Sequence, residues 1–380
     1  MSFINTPTAS SQVRQPRALL ALGDVLIDFE SVTITHSGTF QAGSFQAIVR
    51  SAPGGNVGEW NWWLDQSVVT LDLYAGFPAD PSNYGTADLT RMFTVRIDQI
   101  DLDVATNKLT LQGRDLTAIL IDTKTSGQFQ NQTSSQVAQS FATQAGLTAN
   151  IQPTTAKIGT YYAQDHVRVM HEQTQWALLT YLARKEGVQC FVLGRTLYFG
   201  QFANLKNQQY LITFNPATAD QPYPTSSALK LEFIHDLTLA RDIIVTVRSW
   251  NLKNKKGFTV TAKTTSGASL AAKNLTPVLP ASSAAAQAYA YTIPNLTPIA
   301  AQQKAQELLQ EISKHELRMN AALPGDDLLY PWVPVQVQGT QTIFDTTFYP
   351  SDVTRTITPS SFFMSLRAKN HPTGTQVQIT

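Results

Sequence analysis

FTVRIDQIDLDVATNKLTLQGRDLTAILIDT, residues 93–123, reads as strand, turn, strand and then a Gly-Arg-Asp corner that enters an apolar segment. Val95 and Ile97, then Ile100, Leu102 and Val104, are mostly spaced by two, the period of a strand with one buried face. The beat skipped at Gln99-Ile100 suits a β-bulge. Asn107-Lys108 supplies a tight turn, and Leu109 and Leu111 restart the alternation.

Upstream the pattern stays β. Val25–Phe29, Val32–Thr35 and Phe45–Val49 read as strands, with turns at His36-Ser37-Gly38 and Pro53-Gly54-Gly55. Trp60, Trp62 and Trp63 cluster just ahead of a strongly β run, Val68–Tyr74. Alternation would put Trp60 and Trp62 on one face and Trp63 on the other. All three are candidate interface aromatics, since aromatic residues concentrate in cores and at subunit contacts. Residues 1–17 are polar with two prolines and read as a flexible arm, and residues 18–122 as an antiparallel barrel or sandwich, here called the first barrel.

Downstream, the pattern changes at residues 123–205 to a small α+β insertion. Val137, Ala138, Phe141 and Ala145 share a helical face, with Thr133 or Ser134 as the cap. A second helix begins near Thr174, carries Leu178, Leu179, Leu182 and Ala183, and ends at Gly187. A hairpin turning at Gly194-Arg195 follows. Residues 206–380 return to β as a second, similar barrel, with Ile243–Trp250 as a central strand and Lys253–Gly257 as a turn tip. A loop and helix are inserted at about 266–318, the loop over 266–297 and the helix from Pro298 to about Arg318 with Ala301, Ala305, Leu308 and Ile312 buried. The fold class is thus mainly β: two similar antiparallel β-barrels, a small α+β domain and an extra helix.

The 380 residues exceed one core, and 43% hydrophobic content supports several. Only 14% of residues are charged, the gap being filled by Thr, Gln, Ser and Asn. That composition suits a surface buried against partners, and equally an ordinary secreted β protein. A net charge of +1 argues against a dedicated nucleic-acid binder. Cys190 is the single cysteine, so no internal disulfide forms, and its strand-like setting points to a buried, inert thiol. Neither a leader nor a bilayer-spanning run is evident, so a soluble product made in a cytoplasm, without a membrane anchor, is expected.

Chemistry-bearing motifs are sparse. Asp165-His166 and His171-Glu172 lack zincin spacing. Asp101 and Asp103 share a strand face, as a glycosidase pair would, but solvent-facing alternation explains them and Asp98 more simply. No nucleophile elbow, P-loop or dinucleotide fingerprint occurs. Arg114 and Asp115 read as holding the strand-to-helix corner by hydrogen bonds. The expectation is no enzyme activity, no cofactor and no metal. Sugar stacking on the tryptophans, in a carbohydrate-binding or carbohydrate-active β protein, is the alternative of another class.

Several segments, in order, resemble one family. They are Phe45–Val49, Gly113-Arg114-Asp115-Leu116-Thr117 with Leu120-Ile121-Asp122, Asn131-Gln132-Thr133, Glu172–Gly187 with Trp176 one residue late, Thr196–Gly200, Leu229–Trp250 and Met319–Gly339. The family is the contractile-tail baseplate hub, which takes in the T-even phage hub protein, the phage late control protein D and the N-terminal half of VgrG. The resemblance spans about residues 18–370, and Gly113, Arg114 and Asp115 fall on its structural corner. It implies a homotrimeric, pseudo-sixfold ring that joins a sixfold tail tube to a threefold central spike and lets DNA pass through its bore. Implied partners are a spike protein, a tail tube or tube-initiator protein and inner baseplate (wedge) proteins, and the implied location is the virion tail. VgrG continues into a β-helical spike whereas this sequence stops at Thr380, so a separate spike subunit is expected. A hub of a type VI secretion or other contractile injection system is the alternative within the same family.

Overall fold

A computed structural model describes residues 2–3, 15–38, 40–125, 129, 132–155, 157–158, 173–201, 208–236, 243–251, 256–264, 287–294, 296–313, 317–370 and 375–379. The first module is built from β1 (Arg17–Leu22), β2 (Phe29–Ser37), β3 (Ser44–Arg50), β4 (Thr70–Gly76), β5 (Thr90–Asp103) and β6 (Lys108–Asp115). Alternation decides what each strand buries: Val32 and Ile34, Phe45, Ala47 and Val49, Leu71 and Leu73, Leu109 and Leu111 all enter one core. The spatial order is β1-β4-β5-β6-β3-β2, antiparallel throughout. The bulge expected at Gln99-Ile100 lies between Ile97 and Gln99, making Asp98 the extra residue. The physical reason is that Arg114 on β6 grips Asp98 with both Nε and an Nη, at 2.6 and 2.9 Å.

After β6 comes the short helix α2 (Thr117–Asp122), α1 being Trp60–Leu64 in the β3–β4 connection. Helix α3 (Ser134–Gln144), strand β7 (Thr148–Ile151), helix α4 (Gln175–Glu186) and the hairpin β8 (Gln189–Leu193) with β9 (Thr196–Gly200) share a second core. Thr133 caps α3 through the Gln136 N–H, while Gln136 reaches back to the Thr133 N–H, a reciprocal capping box. Thr174 caps α4, and Gly187 ends it at φ 68°, a conformation glycine adopts without a Cβ penalty.

The second module repeats the first. Its strands are β10 (Gln208–Asn215), β11 (Lys230–His235), β15 (Leu317–Pro324), β16 (Val335–Gln338), β17 (Thr347–Ile357) and β18 (Phe362–Asn370). Their spatial order, β10-β16-β17-β18-β15-β11, is that of the first module taken strand for strand. The match holds residue by residue. In both modules three pairs precede a bulge: Val95, Arg96 and Ile97 on Asp115, Arg114 and Gly113 correspond to Phe348, Tyr349 and Pro350 on Asn370, Lys369 and Ala368. After it, Gln99 to Asp103 correspond to Asp352 to Thr356. The same register carries Phe45, Ala47 and Val49 onto Met319, Ala321 and Leu323, and Val32 and Ile34 onto Leu231 and Phe233. One strand breaks the rule. β10 runs parallel to β16, whereas β1 runs antiparallel to β4, so the second module is mixed rather than wholly antiparallel. Neither pair is joined by a tight hairpin, so the connections leave either sense open.

Between β11 and β15 lies an inserted sheet in the order β14-β12-β13-β19, with ranges β12 Ile243–Asn251, β13 Lys256–Thr264, β14 Gln287–Thr292 and β19 Thr375–Ile379. Helix α5 (Pro298–Ser313) covers one face through Ala301, Ala305 and Leu309. Three expectations are corrected here. The 266–297 loop contains a strand, β14, held by parallel pairing to β12. The helix stops at Ser313, and Leu317 and Arg318 already belong to β15, where alternation buries Leu317, Met319, Ala321 and Leu323. Ile243–Trp250 is central to the inserted sheet, as β12, and not to the second barrel, while β19 returns to edge the same inserted sheet. Residues 265–286, and 253–255 of the expected turn tip, lie outside the described residues.

The two modules join through a strand ladder. β2 pairs antiparallel with β17, from Val32 opposite Ile357 to Ser37 opposite Asp352. Arg355, fully buried, lies at its centre: Nε donates to the Asp326 carbonyl at 3.0 Å, Nη2 to the Leu329 carbonyl, and the guanidinium stacks 4.9 Å from the Tyr330 ring centroid. Its Nη1 donates to His36 Nδ1 at 3.3 Å, which leaves Nε2–H of a neutral imidazole to donate to the Met92 carbonyl at 3.0 Å. Burial, and then the nearby Arg355 charge, push His36 down to about 3.

Two outcomes follow from this architecture. The unfolded chain takes up a proton at position 36 as pH falls through about 6.5, whereas the folded chain does so only near 3, so His36 makes stability fall across that window on acidification. His36→Gln should flatten the pH dependence of the unfolding free energy between pH 6 and 4 by up to about 1.4 kcal/mol per pH unit, read from urea titrations of both proteins. A Cβ at Gly113 would stand 2.3 Å from the Arg96 carbonyl oxygen, whereas the corresponding position in the second module is Ala368. Gly113→Ala should therefore cost about 1–3 kcal/mol by overpacking, and Ala368→Gly only about 1 kcal/mol or less, measured as shifts of the urea midpoint.

Candidate functional surface

Through the β2·β17 ladder eight strands run on as one antiparallel sheet, in the order β5-β6-β3-β2-β17-β18-β15-β11. One face packs on the two β cores. The other is open and polar, because the residues between the buried ones are mostly hydroxyls and amides such as Thr33, Gln46, Thr110, Asn320, Thr354 and Ser365. Thr35 and Thr354 meet hydroxyl to hydroxyl across the junction at 2.9 Å. Several cations on this face are paired, although the Nε of Arg318 on β15 is buried without a hydrogen-bond partner. Arg50 and Lys108 both reach Glu30, at 2.5 and 2.8 Å. Arg367 meets Asp352 at 3.0 Å and Lys230 meets Glu232 at 2.8 Å. Such half-exposed pairs add little stability, but they cancel the local field that would hold a polyanion.

The Gly-Arg-Asp corner sits at one end of this face. Asp115 accepts the Gly43 N–H at 2.6 Å with Oδ2 and the Thr117 N–H at 2.9 Å with Oδ1, tying the β2–β3 connection to the start of α2. Burial pushes its carboxyl up to about 6 in spite of those hydrogen bonds. Arg114 grips Asp98 on the bulge and reaches Asp122 at the end of α2 at 3.3 Å, and Arg96 pairs with the same Asp122. The Arg114 bonds hold Asp98 below the usual carboxylate range. Gly113 is glycine because Arg96 and Val95 pass directly over it. The motif's polar atoms are thus spent on each other and on backbone.

The tryptophans are not on a strand. They lie in α1, so their expected split between two strand faces is corrected: at five residues, helical geometry replaces alternation. Trp63 is fully buried and donates its Nε1–H to the Gly58 carbonyl at 3.0 Å, which removes it from any outer surface. Trp62 packs edge-on against it at 5.0 Å, and Trp60 donates to the Ser51 carbonyl at 3.2 Å, both half-buried. No three-ring stacking platform therefore forms. Asp101 hydrogen-bonds Gln99 and Gln112, while Asp103 caps its own turn through Thr106 and Ala105, so the two carboxylates serve different local bonds. Cys190 is buried in β8, and burial raises its thiol far above the ordinary range. His166 and His171 lie outside the described residues, among which no cluster of His, Cys, Asp or Glu has the makings of a metal site. No described helix is long and apolar enough to cross a membrane.

Sequence reasoning missed the Arg355–His36 pair. The signal was present: Arg355 shares its alternation phase with Val353 and Ile357, a charged residue in a core position.

No family model and no curated protein matches this chain. Solved structures do. A tail protein from Neisseria meningitidis MC58 aligns over 94% of this chain and 97% of its own, with a TM-score of 0.64 at 14% identity. The 43 kDa tail protein of prophage MuSo2 from Shewanella oneidensis aligns over 95% and 97%, with a TM-score of 0.60 at 14% identity. An E. coli component of the type VI secretion system, described as similar to T4 phage tail proteins, aligns over 94% of this chain and 77% of its own, with a TM-score of 0.51 at 11% identity. Across nearly its whole length the chain has the fold of these tail proteins.

Proposed function

We propose that this chain is a structural baseplate hub of a contractile phage tail, a homotrimeric ring that joins a sixfold tail tube to a threefold central spike. The observation that carries this reading is the residue-for-residue register shared by the two β modules, together with the ladder that fuses them into one sheet. Three copies of a chain with two equivalent modules present six equivalent units on one side while keeping threefold symmetry elsewhere, which is what an adaptor between the two symmetries needs. The partners are a spike protein, a tail tube or tube-initiator protein and inner wedge proteins, and the place of action is the virion tail.

In this reading the open face of the eight-stranded sheet lines the bore. Its hydroxyls, amides and paired charges would let DNA slide past without counterion-releasing grip. The role is mechanical, since Arg114, Asp115 and Asp98 already spend their charges on internal bonds. We divide the chain into an arm to residue 16 whose Ser2 and Phe3 pair with the start of β10, a first barrel to 122, an α+β domain to 205 and a second barrel to 370 interrupted by the inserted sheet, with Gly113, Arg114 and Asp115 as structural corner and Trp60 and Trp62 left for an interface. The likeness to the E. coli secretion component keeps a hub of a type VI or other injection system as the second reading, which neighbouring genes for sheath and tube or for a secretion membrane complex separate.

Light scattering at micromolar concentration, with electron microscopy of the same sample, tests the ring. The expected result is a mass of three chains and a closed ring. A strict monomer, even with spike and tube proteins added, would overturn it.

A further inference from the structure

The internal β2·β17 junction has a counterpart that one chain cannot complete. By the shared register β5 stands where β17 stands, and β11 where β2 stands. β17 gives its second half, Asp352–Ile357, to β2. On β5 the corresponding half is paired on one side only. Its ladder with β4 ends at Arg96, followed by one bond from the Ile97 N–H to the Val69 carbonyl, and β6 occupies the other edge. Among the described residues β11 pairs with β15 alone.

Burial reports the same incompleteness. At the internal junction Val32, Ile34 and Val353 are 0% exposed and Ile357 is 1%. Their counterparts at the two open edges, Ile100, Leu231 and Phe233, are only half-covered, as is Leu102. Large apolar side chains are exposed beside both edges: Val68 at 70% and Val104 at 64% along β5, Leu229 at 63% and Ile234 at 39% along β11. Unpaired strand edges flanked by apolar side chains are templates for another strand.

We infer that the open edge of β5, Gln99–Asp103, receives β11 of a second copy of this chain, antiparallel and in the register of the internal junction. This inference rests on the ring reading and specifies how the ring closes. It sets Leu102 opposite Phe233 on the core side and Asp101 opposite Ile234 on the open face, where Thr354 meets Thr35 within the chain. Asp103 falls opposite Glu232, whose charge Lys230 already offsets at 2.8 Å.

The test is a cysteine pair, Asp101→Cys with Ile234→Cys, in the full chain, oxidised with oxidised glutathione and read on a non-reducing denaturing gel. Both sites are exposed or nearly so, and the native Cys190 is buried. A pair slipped by two residues, Asp101→Cys with Glu232→Cys, is the comparison, because diagonal Cβ atoms about 7–8 Å apart are too far for a disulfide. Thr35→Cys with Thr354→Cys gives the reference for cross-linking within one chain. The expected result is a covalent ladder ending at three chains, at least about tenfold more abundant for the direct pair than for the slipped one. Three-chain mass with no preference between the pairs overturns the register and leaves the ring standing. Monomeric mass throughout overturns both. Hydrogen exchange on the unaltered assembly gives a second reading: amides of 99–103 should exchange as slowly as those of 352–357, and exchange at free-edge rates overturns the pairing.

Discussion

The six-residue ladder between β2 and β17 is the constraint on which the rest of the molecule depends, and Arg355 is what makes it specific. A buried guanidinium is tolerable only if each of its nitrogens finds a partner, because removing the charge from water otherwise costs several kcal/mol. Here the donors go to the Asp326 and Leu329 carbonyls and to His36, so three chain segments are fixed by one side chain. The consequence reaches further. Tyr330, held under the guanidinium, stacks on Trp332, which stacks on Phe191, which stacks on Tyr198, with centroid separations of 4.9, 4.6 and 4.9 Å. Phe191 and Tyr198 belong to the β8–β9 hairpin of the α+β module. A single buried cation thus sets the relation between both β modules and the module between them.

The residues that look most like chemistry are those that shape the sheet. Arg96, Asp98, Arg114, Asp115 and Asp122 would be a plausible acid–base cluster if their partners were unknown. Their geometry shows a different use. Arg114 holds the bulge residue against the end of α2, and Asp115 fastens two backbone N–H groups that a strand-to-helix corner leaves without partners. The bulge and the corner therefore stabilise one another, which explains why a glycine, an arginine and an aspartate follow in that order and why an aspartate closes the motif seven residues on from Asp115. The carboxyl of Asp115 is costly to keep charged in its buried place, and two backbone donors are the compensation.

Much of this was legible in the amino-acid order, and the remainder was hidden for identifiable reasons. Period-two alternation in Phe45–Val49 and Leu109–Leu111 marks strands because one face is buried, and the caps of α3 and α4 are written in Thr133, Thr174 and Gly187. The tryptophan segment misled because five residues are too few for a helical period to show. Pro298 marked the start of α5, but nothing marked its end: Leu317 fits a helical stripe as well as it fits the strand it joins. Strand β14 was obscured by an Ala-rich composition and a partner, β12, some forty residues away. The polarity of the open face was visible as low charge, whereas the pairing of its charges, between strands distant in sequence, was not.

Where the two modules differ is as informative as where they agree. The strands that match residue for residue, β2, β3, β5 and β6 with β11, β15, β17 and β18, are those that form the continuous sheet. The strand that reversed its sense, β10, lies outside that sheet, and the inserted β12–β14 unit with α5 enters through a connection between two of its strands without disturbing their register. A one-residue slip in any of the shared strands would turn its apolar residues outward, and it would also move the junction register that Arg355 fixes. Divergence is therefore found outside the continuous sheet, while the strands within it, including β3, β6, β15 and β18 that meet only their own module, keep one register. That pattern is the expected trace of a sheet held in one register across the β2·β17 ladder, and in this chain the boundary between the two behaviours runs along β16 and β4.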